Sequence, residues 1–400
     1  MEKSIELVLE FGEALHSYGA ASYNLEQAMH NISKTLGLEG EFFSTPTLLI
    51  SSFTINNESK TFVRRVYPTD VDLRKLSYLD ALGDKLIEAE IDVEEAYKEL
   101  KRIRNLEDPF KGFIEVIAFG IIGICASIFF NAGFFDIIAS GLSGLVVGII
   151  NVYFSQSARL KNFNEFLAAF VATLFAIFLS NYYESFNLNL VIIASTIVLI
   201  PGLSLTISMT ELATLNLASG TARLMQAILN FFKLAFGVAM GLQVSELFNL
   251  KFHNTVVENL ITIDYKVYAL LFAALAFSVL FKISLRYYFW ILLVGAVGFF
   301  TTYFLSPTTG VNIATFIAGF SVCLIANAFA RFYKKPTLLL ELPGLILIVP
   351  GSVGFKGIQF FFEKNTLAGI DAVFDMFLIA VALVSGFLLA NILLVPNRSL

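Results

Sequence analysis

The chain lacks most of the side chains on which enzymes build their centres. It has only two cysteines, Cys125 and Cys323, both inside apolar runs, so there is no disulfide framework and no cysteine-based metal site. It has three histidines, none within an apolar run of membrane length. No GxxxxGK[ST] loop occurs, which excludes a P-loop ATPase, and no HExxH or GxGD-like pair supplies an intramembrane enzyme. A histidine of the head, His16 or His30, can be assembled with Ser52 and Asp72 into a triad on paper, but nothing in their spacing demands it. The chain is therefore read as a non-enzyme without metal or cofactor. Charged residues make up only 15%, and no segment is basic enough for nucleic acid. The first residues contain no apolar stretch followed by a small-residue cleavage site, so no signal peptide is expected and the head should stay in the cytoplasm.

What is abundant is apolar surface: 57% hydrophobic residues, 42 Phe and a mean hydropathy of +0.76 over 400 residues. Residues 1–111 hold 13 Lys and Arg against 20 Asp and Glu, whereas the remainder holds 14 against 12. An acidic head therefore precedes a long apolar body. In the head, residues 3–18 and 22–37 carry apolar residues at helical spacing, separated by Gly19 as a C-cap. The stretch EFFSTPTLLISSFTINNESKTFVRRVY, rich in aromatic and β-branched residues around Asn-Asn, predicts two or three strands. Residues 72–88 and 92–104 return to helix, with Asp92 as N-cap.

A hydrocarbon core about 30 Å thick needs roughly 20 apolar residues per helix. Ten segments fit, at 112–131, 133–153, 163–181, 187–208, 219–245, 265–282, 286–306, 310–331, 337–361 and 371–395. Arg159, Lys161, Arg223, Lys282, Arg286, Arg331, Lys334, Lys335 and Arg398 fall on one side of this arrangement. Lys251, Lys266 and Lys364 are the only basic residues on the other, so both termini are expected in the cytoplasm. TIVLIPGLSLT and LILIVPGSVGF place Pro-Gly at 201–202 and 350–351, in the fourth segment of each group of five. Five is odd, so the second group enters the membrane in the opposite sense. The expected fold is an α-helical polytopic membrane protein. A small α+β cytoplasmic domain (1–110) precedes two inverted five-helix repeats (111–250 and 251–400).

Broken helices at membrane depth free backbone groups for a polar solute. The substrate site is therefore expected at Pro201, Gly202, Ser204 and Thr206 with Pro350, Gly351 and Ser352. Thr206, Ser208 and Thr210 following Ser204 would spread around a helix unless that stretch is unwound, and back-bonding hydroxyls are the alternative. Asp136, Arg223, Lys233, Glu341 and Asp375 are the intramembrane charges from which ion coupling would be built. Lys233, central in the fifth segment, is expected to meet Asp136 or Glu341 and respond with it to the driving ion.

The opening FGEALHSYGAASYNLEQAMHNISKTLGLEGEFFSTPTLLISSF resembles that of the threonine/serine exporter family and its fungal pheromone-regulated membrane relatives. Tyr18, Gly19, Ala20, Glu26, Pro46, Ser52 and Phe53 match. VDLRKL at 71–76, IPGLSLTISMTELATLNLASGTARL at 200–224 with Pro201, Gly202, Gly220 and Arg223, and ELPGLILIVPGS at 341–352 extend the resemblance over essentially the whole chain. It departs from the family at Asn24, where many members have Arg, and at Asn216, where many have an acid. The resemblance implies a ten-helix exporter of small polar amino acids, driven by an ion gradient, with a cytoplasmic head. The expected partners are that solute, the lipid bilayer, a coupling ion (the proton foremost) and, as an allowed arrangement, further copies of the chain. A dicarboxylate exporter drawing on Lys233 and Arg223 is the runner-up in transport, and a membrane sensor with a signalling head is the alternative from another class.

Overall fold

A computed structural model describes residues 2–55, 57–67, 71–154, 157, 160, 162–182, 186–248, 261–346, 348, 353–355, 357, 360 and 365–395. The chain opens with helices α1 (Glu2–Ser17) and α2 (Ser22–Thr35), separated where Gly19 takes a φ of 99° that an L side chain rarely adopts. Three antiparallel strands follow, β1 (Glu39–Thr45), β2 (Leu48–Ile55) and β3 (Glu58–Arg65), in that spatial order. Along β2 the alternation turns Leu49, Ser51 and Phe53 to the buried side. Phe53 is wedged edge-on between Phe42 and Phe62, with ring centres 5.7 and 6.0 Å away.

Helices α3 (Leu73–Ile87) and α4 (Val93–Arg104) complete this part. Each starts where an aspartate accepts an otherwise orphaned backbone N–H: Asp72 from Lys75 and Asp92 from Glu95, both at 2.8 Å. Phe11, Leu15, Leu25, Met29, Leu79 and Leu100 lie under 1% exposed where these helices meet the sheet.

The apolar part consists of α5 (Gly112–Phe129), α6 (Phe134–Phe154), α7 (Asn164–Ser180), α8 (Leu188–Thr196), a 3-10 turn (Ile197–Leu199), α9 (Gly202–Ala213) and α10 (Leu217–Leu247). It continues with α11 (Ile263–Leu280), α12 (Tyr288–Thr309), α13 (Val311–Tyr333), α14 (Leu338–Leu345) and α15 (Thr366–Leu393). Among the described residues seven helices are long and apolar enough to cross a membrane, and an eighth span arises if the bent pair Leu188–Leu199 and Gly202–Ala213 is counted as one. The helix Asn164–Ser180 is apolar but shorter. The second Pro-Gly, Pro350-Gly351, and Ser352 lie outside the described residues, as do Arg159, Lys161, Lys251, Lys364 and Arg398 of the charge comparison. Large apolar side chains such as Phe134, Phe178, Phe289 and Phe304 are more than half exposed on the outside of these helices, the surface that lipid would cover. The protein is a multi-pass membrane protein.

Glycines set the helix contacts. A Cβ on Gly237 of α10 would collide with the Phe166 carbonyl oxygen of α7, and a Cβ on Gly386 of α15 with the Phe316 carbonyl oxygen of α13. Helices α5 and α6 approach in the same way at Gly123, against the Ser140 carbonyl oxygen, and at Gly144, against that of Phe119, while Gly120 and Gly141 make room for the Leu145 and Ile124 side chains. Helix α5 also packs on α11, and α9 on α15.

The head is not separate from this bundle. Its core is continuous with that of the later helices, and Leu203 and Ile207 of α9 pack against the joint cluster. The Leu73 N–H donates to the Phe281 carbonyl at the end of α11, at 3.1 Å.

Candidate functional site

The fourth apolar segment breaks at the Pro-Gly that the sequence marks. Helix α8 ends at Thr196, one 3-10 turn follows, and α9 starts at Gly202, bent by 53° from the preceding axis. Pro201 precedes the first residue of α9 with no side chain capping that end, which leaves the first amides of the helix without a side-chain acceptor. Around this break lies a cavity of about 500 Å³. Residues 197–204 form one wall, including Pro201, Gly202 and Ser204. Phe119 and Phe129 of α5, Phe277 of α11, Phe299 of α12 and Ile346 beyond α14 form others. Its polar wall groups are Glu115, Asn151, Ser204, Asn230 and Lys282. Val71, from the segment leading into α3, also lines it. Lys282 donates to Asp108 at 2.9 Å. Burial alone would lower the pKa of Lys282, but the Asp108 bond and the negative charges of Asp108, Asp72 and Glu115 carry it above the ordinary lysine value.

Thr206 is placed differently. Its hydroxyl donates to the Gly202 carbonyl, Ser208 donates to that of Leu205, and Thr210 to that of Thr206. The stretch is helical, and these hydroxyls are spent on their own helix. Only Ser204 of the set lines the cavity.

Lys233 and Asp136 have partners that the sequence did not reveal. Lys233 meets neither Asp136 nor Glu341. It pairs with Glu165 at 3.5 Å and reaches the Asn230 side-chain oxygen at 3.4 Å. The reason is geometric: α10 runs for 31 residues, well beyond the length needed to span, and its Gly237 lies against Phe166 near the start of α7. The sequence midpoint of α10 is therefore level with the first turn of α7, where Glu165 stands. Asp136, buried at the start of α6, accepts the N–H groups of Asn187 at 2.9 Å and Gly133 at 3.1 Å, which ties the entrance of α6 to that of α8. Asp375 is exposed on α15.

Arg223 and Glu341 converge on a cluster that the sequence reading missed. Glu211, in the last turn of α9 and fully buried, receives two hydrogen bonds from the Arg223 guanidinium, at 3.1 and 3.3 Å. It also accepts the backbone N–H of Ser22, the first residue of α2, at 3.2 Å, and the Ser22 hydroxyl donates to that of Ser219 at 2.6 Å. A body carboxylate thus takes the place of the missing N-cap side chain of α2. Glu341 accepts from the Cys323 thiol at 3.6 Å. Tyr23 lies among these groups: burial, then the charges of Glu341 and Glu211, push its phenol pKa up. The acid within ISMTELA was the signal available for Glu211, since an acid in an apolar stretch has to find a cation.

His16, Ser52 and Asp72 form no triad. The His16 Nε2 is bonded to the Thr45 carbonyl, Ser52 to Thr61, and Asp72 caps α3.

Sequence profiles of two families match the chain: "Putative threonine/serine exporter" over residues 6–245 and "Threonine/Serine exporter, ThrE" over residues 266–393. Pheromone-regulated membrane protein 10 of Pichia sorbitophila is 24% identical over 375 residues, covering 90% of this chain and 36% of that protein. Its namesake in Yarrowia lipolytica is 24% identical over 369 residues, covering 88% and 30%. An uncharacterized protein of Schizosaccharomyces pombe is 24% identical over 365 residues, covering 88% and 48%. The chain spans about a third to a half of the length of these curated relatives. No solved structure matches it. With more than half of its length matched by a single profile, the chain belongs to the threonine/serine exporter family.

Proposed function

We propose that the protein is a secondary active exporter of small polar amino acids of the threonine/serine kind, working across the cytoplasmic membrane with both termini inside. The observation that carries this reading is the cavity at the Pro201-Gly202 break, walled by helices from both parts of the body. The start of α9, whose Gly202 N–H is bonded to the Ile200 carbonyl, offers a positive helix end to a carboxylate. Glu115, Asn151 and Asn230 place polar groups near an ammonium group, the two asparagine oxygens already accepting from Asn164 and Lys233. Arg223 and Lys233, the cations that would draw a dicarboxylate, are each neutralised by a carboxylate of the chain, which favours a zwitterion.

In this reading residues 1–110 are a cytoplasmic domain, and residues 111–250 and 251–400 are inverted five-helix repeats, ten spans in all. Two features support the repeat. Gly237 follows Pro201 at the same interval as Gly386 follows Pro350, and each glycine seats the fifth helix of its half on the third. By sequence position Pro350 and Gly351 are the counterparts of Pro201 and Gly202, and Ser352 follows them as Ser204 follows the first pair. The head docks on the turns near Glu211, Phe281 and α14, on the side to which Arg223, Lys282, Arg286 and Lys334 were assigned, in keeping with a cytoplasmic head. The coupling ion is the proton, and Glu341 is the carboxylate best placed to carry it. It lies deep beside Tyr23 and Cys323, whereas Asp136 is spent on backbone amides and Asp375 is exposed.

The test is flux in proteoliposomes across a panel of amino and dicarboxylic acids, with and without a proton gradient. Gly202→Val should abolish threonine or serine flux while the protein remains folded, because it fills space needed for the solute. Normal flux in that variant, or flux of dicarboxylates alone, would overturn the reading.

A further inference from the structure

Resting on the exporter reading, we infer that the head is the inner gate of the transport pathway, and that its docking on Glu211 closes the cavity toward the head side. Four observations meet here. Val71 of the head lines the cavity, next to Phe281 and Lys282. The Leu73 N–H is bonded to the Phe281 carbonyl, and Asp108, between α4 and α5, is paired with Lys282, so the same rim is tied to the head twice. The start of α2 is capped by the buried Glu211 and held by the Ser22–Ser219 bond. Tyr23, on the same turn, is surrounded by the charges of Glu211 and Arg223 from the first half and Glu341 from the second. The head therefore touches both parts of the body whose relative movement would open the pathway, the first through Ser22 on Glu211 and Ser219 and the second through Leu73 on Phe281 and Asp108 on Lys282.

A solute leaving the cytoplasm has to pass the rim formed by Val71, Phe281 and Lys282. Its passage requires those contacts to part. The Glu211–Arg223 pair makes the docked state specific, because Glu211 has no exposure and takes both its cation and a helix N-terminus at this junction. When the head lifts, the start of α2 loses its acceptor and Glu211 loses one of its donors together, so docking is all-or-none at this contact rather than graded.

The experiment locks the junction. Ser22→Cys with Ser219→Cys replaces the 2.6 Å hydroxyl pair with thiols that oxidation can join. The full-length double variant is reconstituted, oxidised, and assayed for threonine and serine flux before and after reductant. Locking should lower flux at least tenfold, and reductant should restore it. Undiminished flux at complete crosslinking overturns the gate. A second reading needs no transport: Ser204→Cys, on the cavity wall, is labelled by a small impermeant thiol reagent added from the head side, alone and in the oxidised Ser22→Cys/Ser219→Cys background. The lock should slow labelling at least tenfold, and equal rates overturn the gate. If the reduced protein moves no solute yet labelling still depends on the lock, the exporter reading fails and the gate stands.

Discussion

At the scale of single residues, burial decides which charges matter. Glu211, with no exposure, pairs with the partly exposed Arg223, and removing Arg223 leaves a buried carboxylate without solvent or counter-ion, a loss of about 3–5 kcal/mol. Arg223→Met should therefore destabilise the folded protein far more than Lys3→Met, which removes an exposed pair with Glu94 worth about 0–1 kcal/mol. Adding Glu211→Gln to Arg223→Met should recover part of the loss, and thermal unfolding in detergent measures all three. His16 gives a pH signature. Burial, assisted by the Arg223 charge and opposed by the Thr45 bond, holds its pKa below the ordinary 6.5. Below that value the unfolded chain binds a proton that the folded chain refuses, so stability is fully present above about pH 6.5 and falls as the pH drops toward the folded pKa. His16→Gln should flatten the stability profile between pH 7 and 5, and an unchanged slope would show that other groups set it.

At the scale of elements, the head was largely legible. Helical spacing, the Gly19 stop, the Asp92 cap and the switch to aromatic and β-branched residues correspond to α1 through α4 and three strands, because each signal acts locally. The break at Pro201-Gly202 was legible for the same reason. The partner of Lys233 was not, since it depends on how far α10 slides along α7, and that offset is set by Gly237 seating on the Phe166 carbonyl rather than by any pattern within α10. The back-bonded Thr206 was equally hidden, because a hydroxyl every second residue suits both a lining and a helix. The seating glycines carry a prediction. Gly237→Ala and Gly386→Ala each place a methyl group against a neighbouring backbone carbonyl, at a cost of about 1–3 kcal/mol. If the two halves are equivalent, the two variants lose similar amounts in thermal unfolding. A large loss in one and none in the other would mean that the equal spacing from each Pro-Gly is not structural symmetry.

At the scale of the whole molecule, the docking of the head on the body was the feature least available from sequence. Ser22 and Glu211 are far apart in the chain, and neither belongs to a pattern that points at the other, yet their contact lies where the head joins the apolar helices, whose cores are continuous. In the proposed arrangement each half has an odd number of spans and the two enter the bilayer in opposite senses, which two loops at equivalent positions can test. Tyr182 lies just after α7, the third helix of the first half, and Lys334 just after α13, the third helix of the second. Both are exposed. In an inverted repeat, equivalent loops face opposite sides. Tyr182→Cys should therefore react with an impermeant maleimide added outside intact cells, and Lys334→Cys only in inside-out vesicles, while the native Cys125 and Cys323 stay buried and unreactive in both. Labelling of both sites from the same side would replace the inverted arrangement with a parallel one. The pathway through the body would then need an axis along the membrane normal, and the matching of Gly237 to Gly386 would have to be explained by helix packing alone.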